Sequence, residues 1–241
     1  MKCLENKFNL ETNTIWSFPD RGNWLTHKGD YPGNWSPYVP RNIILRYSKE
    51  NDIVLDQFVG SGTTLIEASI LNRQSIGCDV NRKALDICKQ RIVDLENKER
   101  INLKNIDARD LYDINDNSID LICTHPPYAN IVKYSENLKN DISLLDIDGF
   151  YTAMIEVSKE CYRVLRNNKY CAILMGDTRR NGFIIPLGFN VLNIFMNSGF
   201  KLKEIIIKKQ HNCKRSDFWK DISIKRNFYL IAHEYLFVLK K

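Results

Sequence analysis

No run of about 18 apolar residues occurs anywhere in the chain, so no stretch qualifies as a membrane-spanning helix. The opening MKCLENKFNL carries charges with no apolar segment behind them, and the expectation is a soluble, cytoplasmic protein. There is no C-x-x-C pair among the seven cysteines (Cys3, Cys78, Cys88, Cys123, Cys161, Cys171, Cys213). Several fall inside apolar runs, so they read as reduced thiols rather than a disulfide framework, and no His, Cys and acid set has ligand spacing for a metal. Internal repeats, low-complexity tracts and convincing linkers are also missing, which leaves one domain over residues 1–241. Histidine is scarce, with four in the chain. His27, His211 and His233 read as surface or structurally satisfied groups, and His125 alone sits in an unusual setting.

What is present suffices for a full core: 44% of the residues are apolar. The net charge of +6 is mildly basic and permits an anionic partner such as nucleic acid. Residues 1–38 are rich in Gly, Pro and aromatics (W-S-F-P-D-R-G-N-W-L, G-D-Y-P-G-N-W-S-P-Y) and read as ordered loops over a core. After Pro40, strand and helix alternate. A helix over R-N-I-I-L-R-Y-S leads to strands at 52–56, 74–79, 101–107, 119–124, 169–177 and 201–210, and F-Y-L-I-A-H-E-Y-L-F-V-L closes the chain as the last strand. The expected fold is therefore α/β: seven strands in a mostly parallel sheet, an antiparallel pair at its edge, and helices on both faces.

In such sheets ligands gather beyond the carboxyl ends of the strands, and four ends carry chemistry. The first is D-Q-F-V-G-S-G-T-T (56–64), where Gly60 and Gly62 permit a tight turn and the following helix offers unpaired N–H groups. No G-K-[ST] ending follows, which excludes a phosphate-cradling nucleotide loop. The second is Asp79, about 20 residues further on, where a carboxylate can accept from two ribose hydroxyls or cap the helix beginning at Asn81. Asp107, in N-I-D-A-R-D, is the third, either an acceptor for an adenine amino group or a solvated loop acid. The fourth is L-I-C-T-H-P-P-Y-A-N (121–130), in which an apolar strand runs straight into His125, Pro126, Pro127 and Tyr128.

D-Q-F-V-G-S-G-T-T followed by T-H-P-P-Y resembles the S-adenosylmethionine-dependent DNA methyltransferases that modify exocyclic amino groups, giving cytosine-N4 or adenine-N6 products. The likeness runs from about Thr14 to the last strand and implies a single Rossmann-like methyltransferase domain with S-adenosylmethionine as cofactor. It implies that Asp56, Phe58, Gly60, Gly62, Thr63, Thr64, Asp79 and Asp107 hold the cofactor. Ser36 and Pro40, in the segment N-W-S-P-Y-V-P-R-N-I-I-L-R-Y-S upstream of the glycines, would add to its methionine end. The family often has Pro where this chain has Gln57, to which no role is given, and Asp, Asn or Ser where it has His125.

Those residue types suit the reaction. The lone pair of an exocyclic amine is delocalised into its ring, so the amine needs two hydrogen-bond acceptors to draw the nitrogen towards tetrahedral geometry. The carbonyl of Pro126, fixed by the proline turn, is one; the side chain of His125, if neutral, is the other. Tyr128 offers a face on which a flipped base can stack. With an ordinary pKa of about 6.5, His125 would lose its acceptor on mild acidification and turnover would fall between pH 8 and 5.5.

Nucleic acid needs a grip as well. Residues 208–227 read as a basic hairpin insertion between the last two strands, with seven Lys or Arg against two Asp in 208–226 and Phe218 and Trp219 interleaved. Lys214, Arg215, Trp219 and Lys220 are the candidates there, and Arg179 and Arg180 (G-D-T-R-R-N-G) form a second set. The resemblance implies double-stranded DNA as substrate, a monomer or homodimer, and a cognate restriction endonuclease or recognition subunit as partner. Cytosine-N4 is favoured because T-H-P-P-Y is nearer T-S-P-P-Y than D-P-P-Y. An adenine-N6 enzyme, an RNA amino-methyltransferase and a non-catalytic S-adenosylmethionine-binding protein remain alternatives.

Overall fold

Near-continuous apolar runs along the central strands, I-V-L at 53–55 and C-A-I-L-M at 171–175 among them, bury both faces and dictate a sheet sandwiched between helices. A computed structural model describes residues 8–211 and 216–241. In chain order the elements are β1 (Ile15–Trp16), α1 (Tyr38–Tyr47), β2 (Ile53–Asp56), α2 (Thr63–Ile70), β3 (Gln74–Cys78) and α3 (Arg82–Ile92). Then come β4 (Ile101–Lys104), β5 (Ile119–Thr124), α4 (Ile147–Val164), β6 (Leu165–Met175), β7 (Thr178–Arg180) and β8 (Phe183–Ile185). The last four are α5 (Leu187–Asn197), β9 (Lys201–Lys209), α6 (Ser216–Lys225) and β10 (His233–Lys240).

The main sheet has the order β1-β9-β10-β6-β5-β2-β3-β4. It holds eight strands where seven were expected, because Ile15–Trp16 adds a short parallel strand to β9. Two residues carry too little periodicity to read as a strand; only the backbone edge of β9 makes them one. The antiparallel pair is β9–β10, but β10 lies inside, bonded to β6 on one side and β9 on the other. β10 begins at His233, later than the apolar run suggests, since Phe228 N–H is engaged by the Ser223 carbonyl at the end of α6. The small β7–β8 hairpin and α6 were not foreseen. The insertion between β9 and β10 is helical over 216–225 rather than a plain hairpin.

Successive residues of one strand enter opposite cores. Leu55, Ile122, Ile173 and Phe237 pack with α4 and α5, while Val54, Leu121, Cys123, Leu174 and Val238 pack with Val39, Ile43 and Ile44 of α1. The five cysteines among the described residues are unpaired and buried; Cys3 and Cys213 lie outside those residues. No helix among the described residues is long and apolar enough to cross a membrane.

The amino-terminal loops are pinned by a buried acid. Glu67 of α2 accepts from Trp24 Nε1 (2.8 Å) and Arg41 Nη1 (3.2 Å), and pairs with His27 Nε2 (2.7 Å). Burying that carboxylate is tolerable because its oxygens are satisfied by three partners, two on the amino-terminal loops and one on α1. The consequence is positional: residues 31–35 are held over the carboxyl ends of β2 and β5.

Candidate active site

Chain order reverses between β2 and β5, so the crevice expected of a doubly wound sheet opens there. Both motifs end at this point. Asp56, the last residue of β2, accepts from Thr64 Oγ1 (2.6 Å), from Thr124 Oγ1 at the end of β5 (2.7 Å), and from Phe58 N–H (3.1 Å). It is fully enclosed, and burial pushes its carboxyl up to about 6 against those three bonds. One carboxylate thus ties the glycine turn to the His125–Tyr128 turn.

The turn after β2 requires its glycines. Gly60 has φ +48° and Gly62, the N-cap of α2, has φ +90°; a Cβ on Gly62 would stand 2.5 Å from Cys88 Sγ. Gly60 N–H and Asn81 N–H donate to separate oxygens of Asp79, at 3.0 and 2.9 Å. The cap of α3 is Asn81, whose side chain accepts from Lys83 N–H, so Asp79 is left to brace the turn and face the crevice. Burial raises its carboxyl to about 6 as well. Asp107 is engaged by Arg109, with Nη2 at 2.6 Å from Oδ2.

Together these residues wall a pocket of about 760 Å³ including its mouth, closed by Tyr31–Trp35 from the amino-terminal loops and by Asn140–Ile142. Asp56, Phe58, Gly60, Thr63, Asp79 and Asp107 line it. Gly62 and Thr64 support it from behind. Ser36 and Pro40 are not on the wall: Ser36 Oγ donates to the Arg21 carbonyl (2.7 Å), and Pro40 is buried within α1. Two lining atoms, Gln57 Oε1 and Ser61 Oγ, are buried with no hydrogen-bond partner. Buried polar groups in folded proteins are nearly always satisfied, so this pocket is shaped for a polar ligand. Its acceptors suit a nucleoside with an amino-acid tail: Asp79 keeps lone pairs for ribose hydroxyls and Gln57 and Ser61 for the polar tail, while both Asp107 oxygens accept from Arg109, which must yield one to an adenine amino group. Gln57 and Ser61 had no role from the sequence; Ser61, between the two glycines, was the legible one.

A second pocket opens on the other side of the proline turn. Its lining includes Phe18, Trp35, Pro126, Tyr128 and Val132, and His125 and Pro127 line both pockets. The imidazole of His125 stacks on Trp35, with ring centroids 5.5 Å apart and planes at 28°. Its Nε2 is 2.7 Å from Tyr128 Oη, which donates to Glu234 Oε1 at 3.0 Å; Lys208 Nζ holds Glu234 Oε2 at 2.6 Å. The Tyr128 ring lies close over Gly176, where a Cβ would come within 2.9 Å of it. Burial pushes His125 down to about 4, with Lys208 assisting and Glu234 and the Gly33 carbonyl opposing. The imidazole is therefore neutral throughout the range in which mild acidification was expected to protonate it. Glu234 was missed in the sequence, although a lone acid within H-E-Y-L-F-V-L was a visible signal.

The nucleic-acid candidates among the described residues line neither pocket. Arg179 of β7 donates to the carbonyls of Gly182 (2.8 Å) and Tyr229 (3.1 Å) and sits over the Phe228 ring, so it clamps the small hairpin to the segment after α6. Arg180 ends the same strand. Trp219 and Lys220 are exposed on α6, with Trp219 edge-on to Phe218. Lys214 and Arg215 fall outside the described residues. The insertion springs from β9, whose Lys208 and Lys209 line the second pocket.

A doubly wound sheet, an acceptor-lined pocket at the switch point and a proline turn between two pockets mark the class: a Rossmann-like methyltransferase. More narrowly, residues 4–90 and 119–241 match the sequence profile of the DNA methylases, and the chain belongs to that family of N6/N4 amino-methyltransferases, whose cofactor is S-adenosylmethionine. Over 64 residues it is 45% identical to the type II methyltransferase M2.LlaDCHI of Lactococcus lactis subsp. cremoris, covering 27% of this chain and 24% of that one. Over 108 residues it is 35% identical to a tRNA (guanine(10)-N2)-dimethyltransferase of Methanocaldococcus jannaschii, covering 41% and 30%. The chain thus spans less than a third of the length of either relative. The structure of TrmN from Thermus thermophilus superposes with a TM-score of 0.57 over 87% of this chain and 50% of that one, at 19% identity, and shares the fold.

Proposed function

We propose that this protein transfers a methyl group from S-adenosylmethionine to an exocyclic amino group of a base in DNA, with cytosine-N4 favoured over adenine-N6. The observation that carries the reading is the junction at His125 and Pro127, which line the donor pocket and the open pocket beside it. A group bound in one pocket can meet a group bound in the other beside this turn, under residues 31–35, which also line both.

The cofactor supplies an electrophilic methyl group; the chain supplies alignment and acceptors. Asp79 and Asp107 orient the nucleoside, and the Gln57 and Ser61 oxygens take up the polar tail. On the acceptor side a base enters the pocket over Tyr128, whose hydroxyl is anchored by Glu234 so that the ring presents a fixed face. His125, held neutral by burial, accepts from the target amine together with the Pro126 carbonyl, and the amine lone pair turns towards the donor pocket. α6 and the β7–β8 hairpin are proposed to hold the nucleic acid, with phosphate contacts from Lys220 and Arg180, together with Lys214 and Arg215, and stacking from Trp219. The preference for cytosine-N4 rests on T-H-P-P-Y.

The test is incubation of purified protein with S-adenosylmethionine and unmethylated duplex DNA, then digestion and mass spectrometry of the nucleosides. N4-methylcytosine is expected. N6-methyladenine would overturn the base assignment alone, and no methylated base would overturn the DNA reading. Transfer to RNA is a second reading, favoured by the match to a tRNA methyltransferase over 41% of this chain. The same digest on total tRNA and rRNA decides between them.

A further inference from the structure

We infer that Glu234, a residue of the carboxyl-terminal strand, is a positioning residue that acts through Tyr128 to fix the tautomer of His125 as Nε2–H, leaving Nδ1 as its acceptor nitrogen. The inference rests on the proposed methyl transfer for its purpose, but not for its geometry.

A neutral imidazole has one N–H and one acceptor nitrogen, and which is which follows from its neighbours. Here the neighbours form a directed chain. Lys208 and Glu234 face each other across β9 and β10. Lys208 Nζ has only hydrogens to give, so Glu234 accepts at Oε2 (2.6 Å), and the pairing holds the carboxyl ionised despite its burial. An ionised carboxylate is acceptor-only, so the Tyr128 hydroxyl spends its single proton on Oε1 (3.0 Å). At 2.7 Å from His125 Nε2, the Tyr128 oxygen can then only accept, which requires Nε2–H. The Gly33 carbonyl also meets the imidazole and competes for its proton. Giving the proton to that carbonyl would turn the Tyr128 hydroxyl proton to Nε2 and break its bond to the Glu234 carboxylate, and charge-assisted bonds are about twice as strong as neutral ones. The ionic chain decides.

Glu234→Gln reverses the chain without changing its shape. Lys208 still demands an acceptor, so the amide oxygen faces Lys208 and the NH₂ faces Tyr128. The tyrosine hydroxyl then accepts from the amide and donates to Nε2, and the histidine proton moves to Nδ1, where the target amine needs a lone pair. Tyr128→Phe removes the chain but keeps the ring, leaving the Gly33 carbonyl as the polarising partner.

The experiment is nitrogen-15 NMR of histidine-labelled protein without ligands, in which four histidines give a tractable spectrum and His125→Gln assigns the signal. Wild type is expected to show Nε2–H at residue 125 and Glu234→Gln to show Nδ1–H. Methyl transfer in Glu234→Gln should fall about 10²-fold in kcat, with cofactor affinity within twofold of wild type. Nδ1–H in the wild type, or Nε2–H retained in Glu234→Gln, overturns the inference. Should Glu234→Gln fail to fold, Tyr128→Phe gives the same reading, since Nε2–H persisting there also overturns it. If the tautomers behave as expected while no nucleic acid is methylated, the tautomer assignment stands and the methyltransferase reading falls.

Discussion

The two pockets that meet at His125 are built differently. The donor pocket has a local frame: Asp56, the glycine turn, Thr63 and Asp79 lie within one strand-turn-helix-strand passage, where Phe58 and Thr64 donate to Asp56 and Gly60 to Asp79, and the Thr124 bond to Asp56 ties that frame to β5. The acceptor pocket is assembled from Trp35, His125, Tyr128, Lys208 and Glu234, which come from four parts of the sequence. The first is a motif; the second exists only because a sheet brings its strands together. Damage to the donor pocket should therefore break binding and folding, and damage to the acceptor pocket should break turnover alone.

Asp56→Ala gives the largest break, because Asp56 is the link between the two. It strands the Thr64 and Thr124 hydroxyls and the Phe58 N–H, and should cost about 3 kcal/mol in urea unfolding, with loss of cofactor binding and transfer. Asp79→Ala should weaken S-adenosylmethionine about 100-fold by calorimetry, with a much smaller loss of stability.

The pH dependence separates the pockets further. Asp79 titrates near 6, so cofactor affinity should be flat above pH 7 and fall as pH drops through 6, and Asp79→Asn should flatten the curve. The stability term has the opposite sign. The folded carboxyl holds its proton more tightly than the unfolded one, so its contribution favours the fold at low pH and is lost between about pH 4 and 6. His125, near 4, should give no acid limb of its own: with cofactor saturating, single-turnover rates should be level from pH 8 to 5.5. A rate falling with a midpoint near 6.5 would show that burial does not control this imidazole. His125→Ala should lower that rate about 10²-fold while leaving cofactor affinity within twofold.

The smallest effect is expected furthest from both pockets. Lys220→Ala on α6 should raise the KM for DNA severalfold, leave kcat alone and reduce the salt slope of binding by about one. Trp219→Ala should raise KM with no change in that slope.

The sequence by itself determined the alternation of strand and helix, the glycine turn, Asp79 at the next strand end and the proline turn at residues 125–128. Those features are local: a positive φ, a helix start or an apolar period is encoded in neighbouring residues. The eighth strand escaped because two residues become a strand only beside β9, and α6 because a basic segment with two aromatics has no pronounced period. Ser36 and Pro40 carried a family likeness, but Ser36 turned to Arg21 and Pro40 into α1 once the amino-terminal loops closed. Tertiary structure alone decided that His125 is neutral, that Glu234 and Lys208 stand behind Tyr128, and that residues 31–35 wall both pockets. The proton state of a side chain depends on its surrounding dielectric and on partners that can lie more than a hundred residues away, and neither exists until the chain has folded.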